Sequence, residues 1–327
     1  MKKLWGLPLS LLVVLLLLSA CSGSKEETAV EERMKIGVML SDAGLGDQSF
    51  SDIAFEGLEK ARDELNVSID YRELAETNTY EQGIEELVKE GQNLIIGLGF
   101  SMQEEMEKVA SKYPEQQFLL VDTVSDAPNI HNVTFKEDEG SYLLGALAAM
   151  KSKTGTVGFI GGVDSPVIHR FEQGFTAGVK QVKPDTKVLS VYAGSFGDDR
   201  LGASIARDMI AEGADFLYPA AGFTGVGSIL AAQEAGVYAF GVDSDQFFLA
   251  EKTIVSSMLK RVDTAVYQSI EEMVTTGEIS EKNKVLGIKE NGVSLAPIRV
   301  LELTAQEQKQ LDTLQEQLSD GSISITE

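Results

Sequence analysis

From residue 34 onward, short apolar or β-branched runs alternate with stretches in which apolar side chains recur every three or four positions. The runs at 35–40, 68–74, 93–98, 117–122 and 131–135 make one set of five strands; those at 156–161, 187–193, 215–220, 237–243 and 253–259 make a second. Between them, Phe55, Leu58 and Leu65 share one face of a helix at 52–65. Ile168, Phe171, Phe175 and Val179 do the same at 167–180, and Val262, Val266, Ile270 and Met273 at 261–276, which ends at Gly277, a good left-handed terminator. Thr304 and Glu307 match a capping box that opens a last helix with Leu311, Leu314 and Leu318 on one side. Strands alternating with helices predict βαβ units and mostly parallel sheets. Two sets of five predict two such sheets.

A parallel sheet covered by helices gathers its binding groups at the carboxyl ends of its strands. Polar motifs stand there in both sets: Ser41 and Asp42 after the first strand, Asp122 after the fourth, Ser195 and Phe196 after the seventh, Gly222 to Gly225 after the eighth, and Asp243 with Asp245 after the ninth. Two sheets whose carboxyl edges face each other across a cleft would bring them together.

The segment GVDSDQ, 241–246, poses the chemical question, because its two aspartates could be a catalytic pair, a metal site or acceptors for ligand hydroxyls. A calcium loop needs a glycine and a glutamate that this segment lacks. An enzyme needs a base or activated nucleophile with an orienting partner. The only histidines are His131 and His169, and no Walker, G-x-S-x-G, H-E-x-x-H or C-x-x-C pattern occurs. Gly222, Gly225 and Gly227 echo a dinucleotide fingerprint in reverse, which close helix packing explains as well. No cofactor motif is present, and recognition without reaction is left. A buried carboxylate can accept both hydroxyls of a vicinal diol through charge-assisted bonds; for Asp243 a helix or turn cap is the competing reading. Lys260, at the start of the helix at 261–276, sits where the helix dipole disfavours a cation, which suggests a partner in ligand oxygens or in Asp243.

Residues 1–20 read as a signal peptide, with Lys2 and Lys3 followed by an apolar stretch shorter than the ~20 residues of a permanent span. Cys21, the one cysteine, follows Leu18-Ser19-Ala20 and completes a match to the bacterial lipobox; disulfides are excluded by count. Residues 22–33 are small and charged and read as a tether. The net charge of −23, with no basic run longer than two residues after the signal, leaves no nucleic-acid footprint visible.

The segment 241–246 together with 257–263 (SMLKRVD) closely resembles the signature of the basic membrane protein (PnrA-like) family, nucleoside-binding lipoproteins of ABC importers. The match extends to GFIGGV at 158–163, FEQGFTAGV at 171–179, GSF at 194–196 and AGFTG at 221–225, and spans 34–327. The resemblance implies a type I periplasmic-binding-protein fold of two Rossmann-like lobes with parallel sheets, joined by a hinge of crossover strands. Residues 34–137 plus 261–281 would form lobe 1, and 138–260 plus 282–327 lobe 2. It further implies a monomeric receptor, diacylated at Cys21 on the extracytoplasmic face of the bacterial membrane, that passes a nucleoside to an ABC permease and ATPase complex. Carried over residue by residue, Asp42 and Phe50 belong to the first loop and Asp122 to the base edge. Phe196 would stack on the base, Gly222 would approach the ligand through its backbone, and Asp243 with Lys260 would hold the ribose. The first loop departs from the family pattern: it is one residue shorter, and Ala43 stands where purine-binding members carry an asparagine. A regulatory or sensory lipoprotein on the same scaffold is the alternative; a nucleoside hydrolase or phosphorylase lacks a visible acid/base pair.

Overall fold

The computed structural model describes residues 33–325; the signal segment and Cys21 lie outside them. All ten anticipated strands form. β1 (Lys35–Met39), β2 (Ser68–Arg72), β3 (Leu94–Leu98), β4 (Gln117–Val121) and β5 (Ile130–Phe135) build the first sheet. β6 (Thr156–Gly161), β7 (Lys187–Tyr192), β8 (Phe216–Ala220), β9 (Tyr238–Asp243) and β10 (Ile254–Lys260) build the second. Two short strands were not foreseen: β11 (Asn283–Leu286) adds in parallel to β5, and β12 (Val293–Leu295) adds antiparallel to β10. The strand orders are β11-β5-β4-β3-β1-β2 and β12-β10-β9-β8-β6-β7, the same winding used twice. Every residue of β3 and β8 is buried, as expected where helices cover both faces of a parallel sheet.

The first lobe carries α1 (Phe50–Leu65), α2 (Leu74–Thr77), α3 (Tyr80–Lys89) and α4 (Gln103–Lys112). Then come α5 (Glu137–Lys151), α6 (Pro166–Val182), α7 (Asp199–Ala211) and α8 (Gly222–Ala235) on the second, α9 (Val262–Thr276), and α10 (Ala305–Ser319). The predicted capping box on α10 is present, and Leu311, Leu314 and Leu318 are buried. The chain passes between lobes three times: from β5 into α5, from β10 into α9, which packs on α1, and from β11 to β12. The last passage corrects the sequence-based boundary. Residues 283–286, expected in lobe 2, pair with β5 of the first sheet, so the chain returns only after Leu286. The reason is a lateral bond set that hydropathy does not encode, since Asn132 Nδ2 donates to Asn283 Oδ1 at 2.6 Å and Asn132 N to the Lys282 carbonyl at 2.8 Å.

Glycine sets how closely the helices of lobe 2 approach. A Cβ at Gly178 would lie 1.9 Å from the Tyr142 carbonyl oxygen, and one at Gly145 2.0 Å from that of Phe175, so α5 and α6 touch backbone to backbone. Likewise a Cβ at Gly227 would sit 1.8 Å from the Asp199 carbonyl oxygen, which assigns that glycine of the 222–227 series to helix packing. Gly178→Ala is expected to cost about 1–3 kcal/mol, because the obstructing atom is backbone and cannot rotate away. A thermal midpoint lowered by several degrees is the readout; an unchanged midpoint would show that the helices can part freely.

Candidate functional site

The identical winding of the two sheets fixes where a site can form. In each, strand order reverses direction beside the first strand of the lobe, leaving a crevice at the carboxyl edge between β1 and β3 and between β6 and β8. These edges carry the loops that the sequence pattern singled out.

In lobe 1 the turn after β1 is stitched by two acids at the start of α1. Asp47 accepts the N–H groups of Ser49 (3.0 Å), Ser51 (2.8 Å) and Asp52 (3.2 Å), and Asp52 accepts those of Gly46 (2.7 Å) and Gln48 (3.0 Å). Carboxylates belong at a helix N-terminus, where free N–H groups and the dipole favour negative charge. Asp47 thus does the work that Ser49, the N-cap by position, would otherwise do. The Ser49 hydroxyl is released to donate to Asp243 Oδ2 of the other lobe.

Asp243 ends β9 with φ of +64°, and Asp122 follows β4 with φ of +77°. Left-handed backbone at a residue with a side chain costs of order 1 kcal/mol, and aspartate is among the few residues that enter it readily. Both turns bring carboxylates to the cleft, where Asp243 is 7% and Asp122 6% exposed. Lys260, the last residue of β10 and 1% exposed, stands between the lobes. Its Nζ lies 2.6 Å from Asp122 Oδ1, 2.7 Å from Asp122 Oδ2 and 3.0 Å from Glu137 Oε1. Glu137 in turn accepts from Arg170 Nε at 2.7 Å. The rings of Phe50, Phe135 and Phe171 surround the ammonium with centroids 5.1–5.6 Å away, a cation–π cage. The direct partners of Lys260 are therefore Asp122 and Glu137. Asp243, expected beside it, takes the Ser49 hydroxyl instead.

Burial sets the protonation. Desolvation, only partly offset by Lys260 and the Ser49 hydroxyl, raises Asp243 to about 6. Asp122 is also raised by burial, against the pull of Lys260, whereas for Glu137 the opposite holds: burial is outweighed by Lys260 and Arg170, and its pKa falls. Burial works against the Lys260 charge, yet Asp122, Glu137 and Asp243 together push it up to about 12.

All seven predicted ligand positions line a single cavity with an empty volume of about 600 Å³ that opens partly to solvent. Asp42, Phe50 and Asp122 come from lobe 1; Phe196, Gly222, Asp243 and Lys260 come from lobe 2. Gly222 has φ of +54°, and its backbone lies against Phe196, whose carbonyl accepts the Thr224 N–H at 2.9 Å. The Phe196 ring rests on Gly162, where a Cβ would lie 2.1 Å from Cε1. The ring packed against Phe196 is Phe100, edge-on with centroids 6.5 Å apart. Sequence reasoning passed over Phe100, though it follows β3 and the strand-end rule reaches it. It also missed Asp47 and Glu137, whose signal, an acid just before or within a first helical turn, is shared by many solvated helices. The aspartates of 241–246 do not act as a pair. Asp245 binds Arg299 at 2.9 and 3.0 Å outside the cavity.

Known proteins resemble this chain over most of its length. The family described as ABC transporter substrate-binding protein PnrA-like matches residues 34–326. Basic membrane protein D of Borreliella burgdorferi (strain JD1) is 33% identical over 290 residues, 86% of this chain and 84% of its own. The CD4+ T-cell-stimulating antigen of Listeria monocytogenes is 30% identical over 355 residues, 100% of this chain and 99% of its own. A solved ABC transporter solute-binding protein from Aeropyrum pernix K1 superposes with a TM-score of 0.82 at 28% identity, over 89% of this chain and 92% of that one. With two like-wound lobes closing on one acid-floored cavity, this chain belongs to the PnrA-like family of ABC-transporter substrate-binding proteins.

Proposed function

We propose that this substrate-binding protein captures a nucleoside, with a purine as base, and delivers it to an ABC permease from a lipid anchor at Cys21 on the extracytoplasmic face. The observation that carries the reading is Asp243: a carboxylate with only 7% exposure, turned into the cavity by left-handed backbone, beside a serine hydroxyl and near a buried ammonium. Such an acceptor suits two adjacent hydroxyls better than a cation, since Lys260 already supplies positive charge nearby. Phe100 and Phe196, with Phe50 deeper in the cleft, supply flat apolar surface for a heterocycle. The anchor is supported by the lipobox match and by the name of a 33% identical relative, an uncharacterized lipoprotein of Pyrococcus abyssi.

Thermal denaturation with inosine, guanosine and adenosine, beside free bases and ribose, tests the assignment. Saturation at 100 times Kd stabilises a fold by about 2.7 kcal/mol, which corresponds to roughly 4–5 °C in a chain of this size. No shift with any nucleoside would overturn the nucleoside reading. Equal shifts from inosine and 2′,3′-dideoxyinosine would remove the diol from Asp243.

A further inference from the structure

Gln246 closes the 241–246 segment, and the ligand site as described makes no use of it. It is 1% exposed although it carries an amide. Burying such a group is tolerated only when both its ends are bonded. Its Oε1 accepts the Val242 N–H at 3.0 Å, one residue before Asp243. Its Nε2 crosses the cleft and donates to the carbonyl oxygen of Gln48 at 2.8 Å. Its own N–H is held by Ser257 Oγ at 3.2 Å, and Gly241 leaves it room, since a Cβ there would lie 3.0 Å from that of Gln246.

The two ends of this amide reach the neighbours of two left-handed residues of the cleft. Gln48, with φ of +54°, is the residue before Ser49, which donates to Asp243; Asp243, with φ of +64°, is the residue after Val242. A closed ring of contacts therefore runs from Gln246 to Gln48, Ser49, Asp243, Val242 and back. Gln48 and Ser49 belong to the first lobe, and Gln246, Asp243 and Val242 to the second.

We propose that Gln246 is a positioning residue that locks the two ligand loops together, fixing the Asp243 carboxylate and holding the lobes shut over the ligand. It touches no ligand itself. Its contacts with the first lobe exist only when the cleft is closed, so its effect falls on release and hardly on entry. The dissociation arm of the test rests on the nucleoside reading; the cleft-opening arm does not.

Two variants separate the halves of the amide. Gln246→Glu keeps an oxygen for the Val242 N–H but, when ionised, cannot donate to Gln48, and Gln246→Met loses both bonds. Energy transfer between dyes at Glu104→Cys on α4 and Arg200→Cys on α7, both exposed and in different lobes, reads cleft opening; stopped-flow with inosine reads association and dissociation. Both variants are expected to shift the dye pair toward the open distance. Both should also speed inosine release by about tenfold or more, the loss of one buried bond, with association changed less than about twofold. Wild-type opening and release in Gln246→Glu would show that the residue merely shapes its own loop and would overturn the lock. If inosine fails to bind the parent chain, the nucleoside reading falls, and the opening distances alone decide the lock.

Discussion

Asp243→Asn is expected to abolish most nucleoside binding while making the folded chain more stable at neutral and alkaline pH. Asparagine is the substitute of choice because it tolerates φ of +64°, where alanine would add strain of its own. A bond from a hydroxyl to a buried carboxylate contributes about 1.5–3 kcal/mol, so losing the charge under a diol should weaken binding about 100-fold or more. The stability change runs the other way. The folded-state pKa of Asp243, about 6, lies above the ordinary value of 3.8. The native chain therefore holds this proton more firmly than the unfolded chain does. The stabilisation is full below about pH 4 and is lost as pH climbs through 6. Above that the ionised form costs about 3 kcal/mol, from roughly two pH units at 1.4 kcal/mol each. Asp243→Asn removes this cost, so its thermal midpoint should exceed that of the parent at pH 8 and converge with it near pH 4. A variant less stable than the parent at pH 8 would contradict the buried, raised carboxylate. The same ionisation governs affinity: a diol needs the carboxylate charged, so titration calorimetry with inosine should show binding weakening about tenfold per pH unit below pH 6. Flat affinity from pH 5 to 8 would place the diol elsewhere.

The largest loss of stability is expected from Lys260→Met, which nearly preserves shape and removes the charge that Asp122 and Glu137 share. Two buried carboxylates, 6% and 0% exposed, are then left with Arg170 alone as a nearby cation. Breaking a buried ion pair from one side costs about 3–5 kcal/mol, because an uncompensated charge stays in low dielectric. A midpoint lower by about 5–8 °C at pH 8 follows. Adding Asp122→Asn and Glu137→Gln to Lys260→Met should recover much of that loss, since no uncompensated carboxylate then stays buried and the remaining charge, on Arg170, keeps 28% of its side chain exposed. If the single variant melted within about 2 °C of the parent, the network would not be held dry. Lys260 is pushed up to about 12, so on the alkaline side the network keeps its full contribution up to about pH 10.5 and loses it as the lysine titrates; on the acid side it weakens as Asp122, whose pKa is raised by burial, takes up a proton.

The network also ties the crossings between the lobes to the cavity. Lys260 ends β10 just before the second passage between lobes, and Glu137 opens α5 just after the first. Charges fixed at these points register the crossings against each other, and Asp122 extends that registration to the cavity floor.

The sequence by itself determined the ten central strands, their two parallel sheets, the amphipathic helices between them and the edge on which a site forms. Each of these follows from local periodicity or from the winding it enforces, and a chain only a few residues long in each element carries that signal. It also determined seven positions that the fold gathers around one cavity. Tertiary structure alone decided which side chain meets which. That Ser49 serves Asp243 instead of its own helix, that Lys260 pairs with Asp122 and Glu137, and that Phe100 packs on Phe196 are contacts between residues far apart in the chain. The strand at 283–286 was decided in the same way, by the exposed edge of β5 and a bond from Asn132, because so short and polar a run has no hydrophobic period to announce it. Burial gives the physical reason: a side chain's composition states what it can bond, and only the surrounding packing, by excluding water, decides which of those bonds it must make.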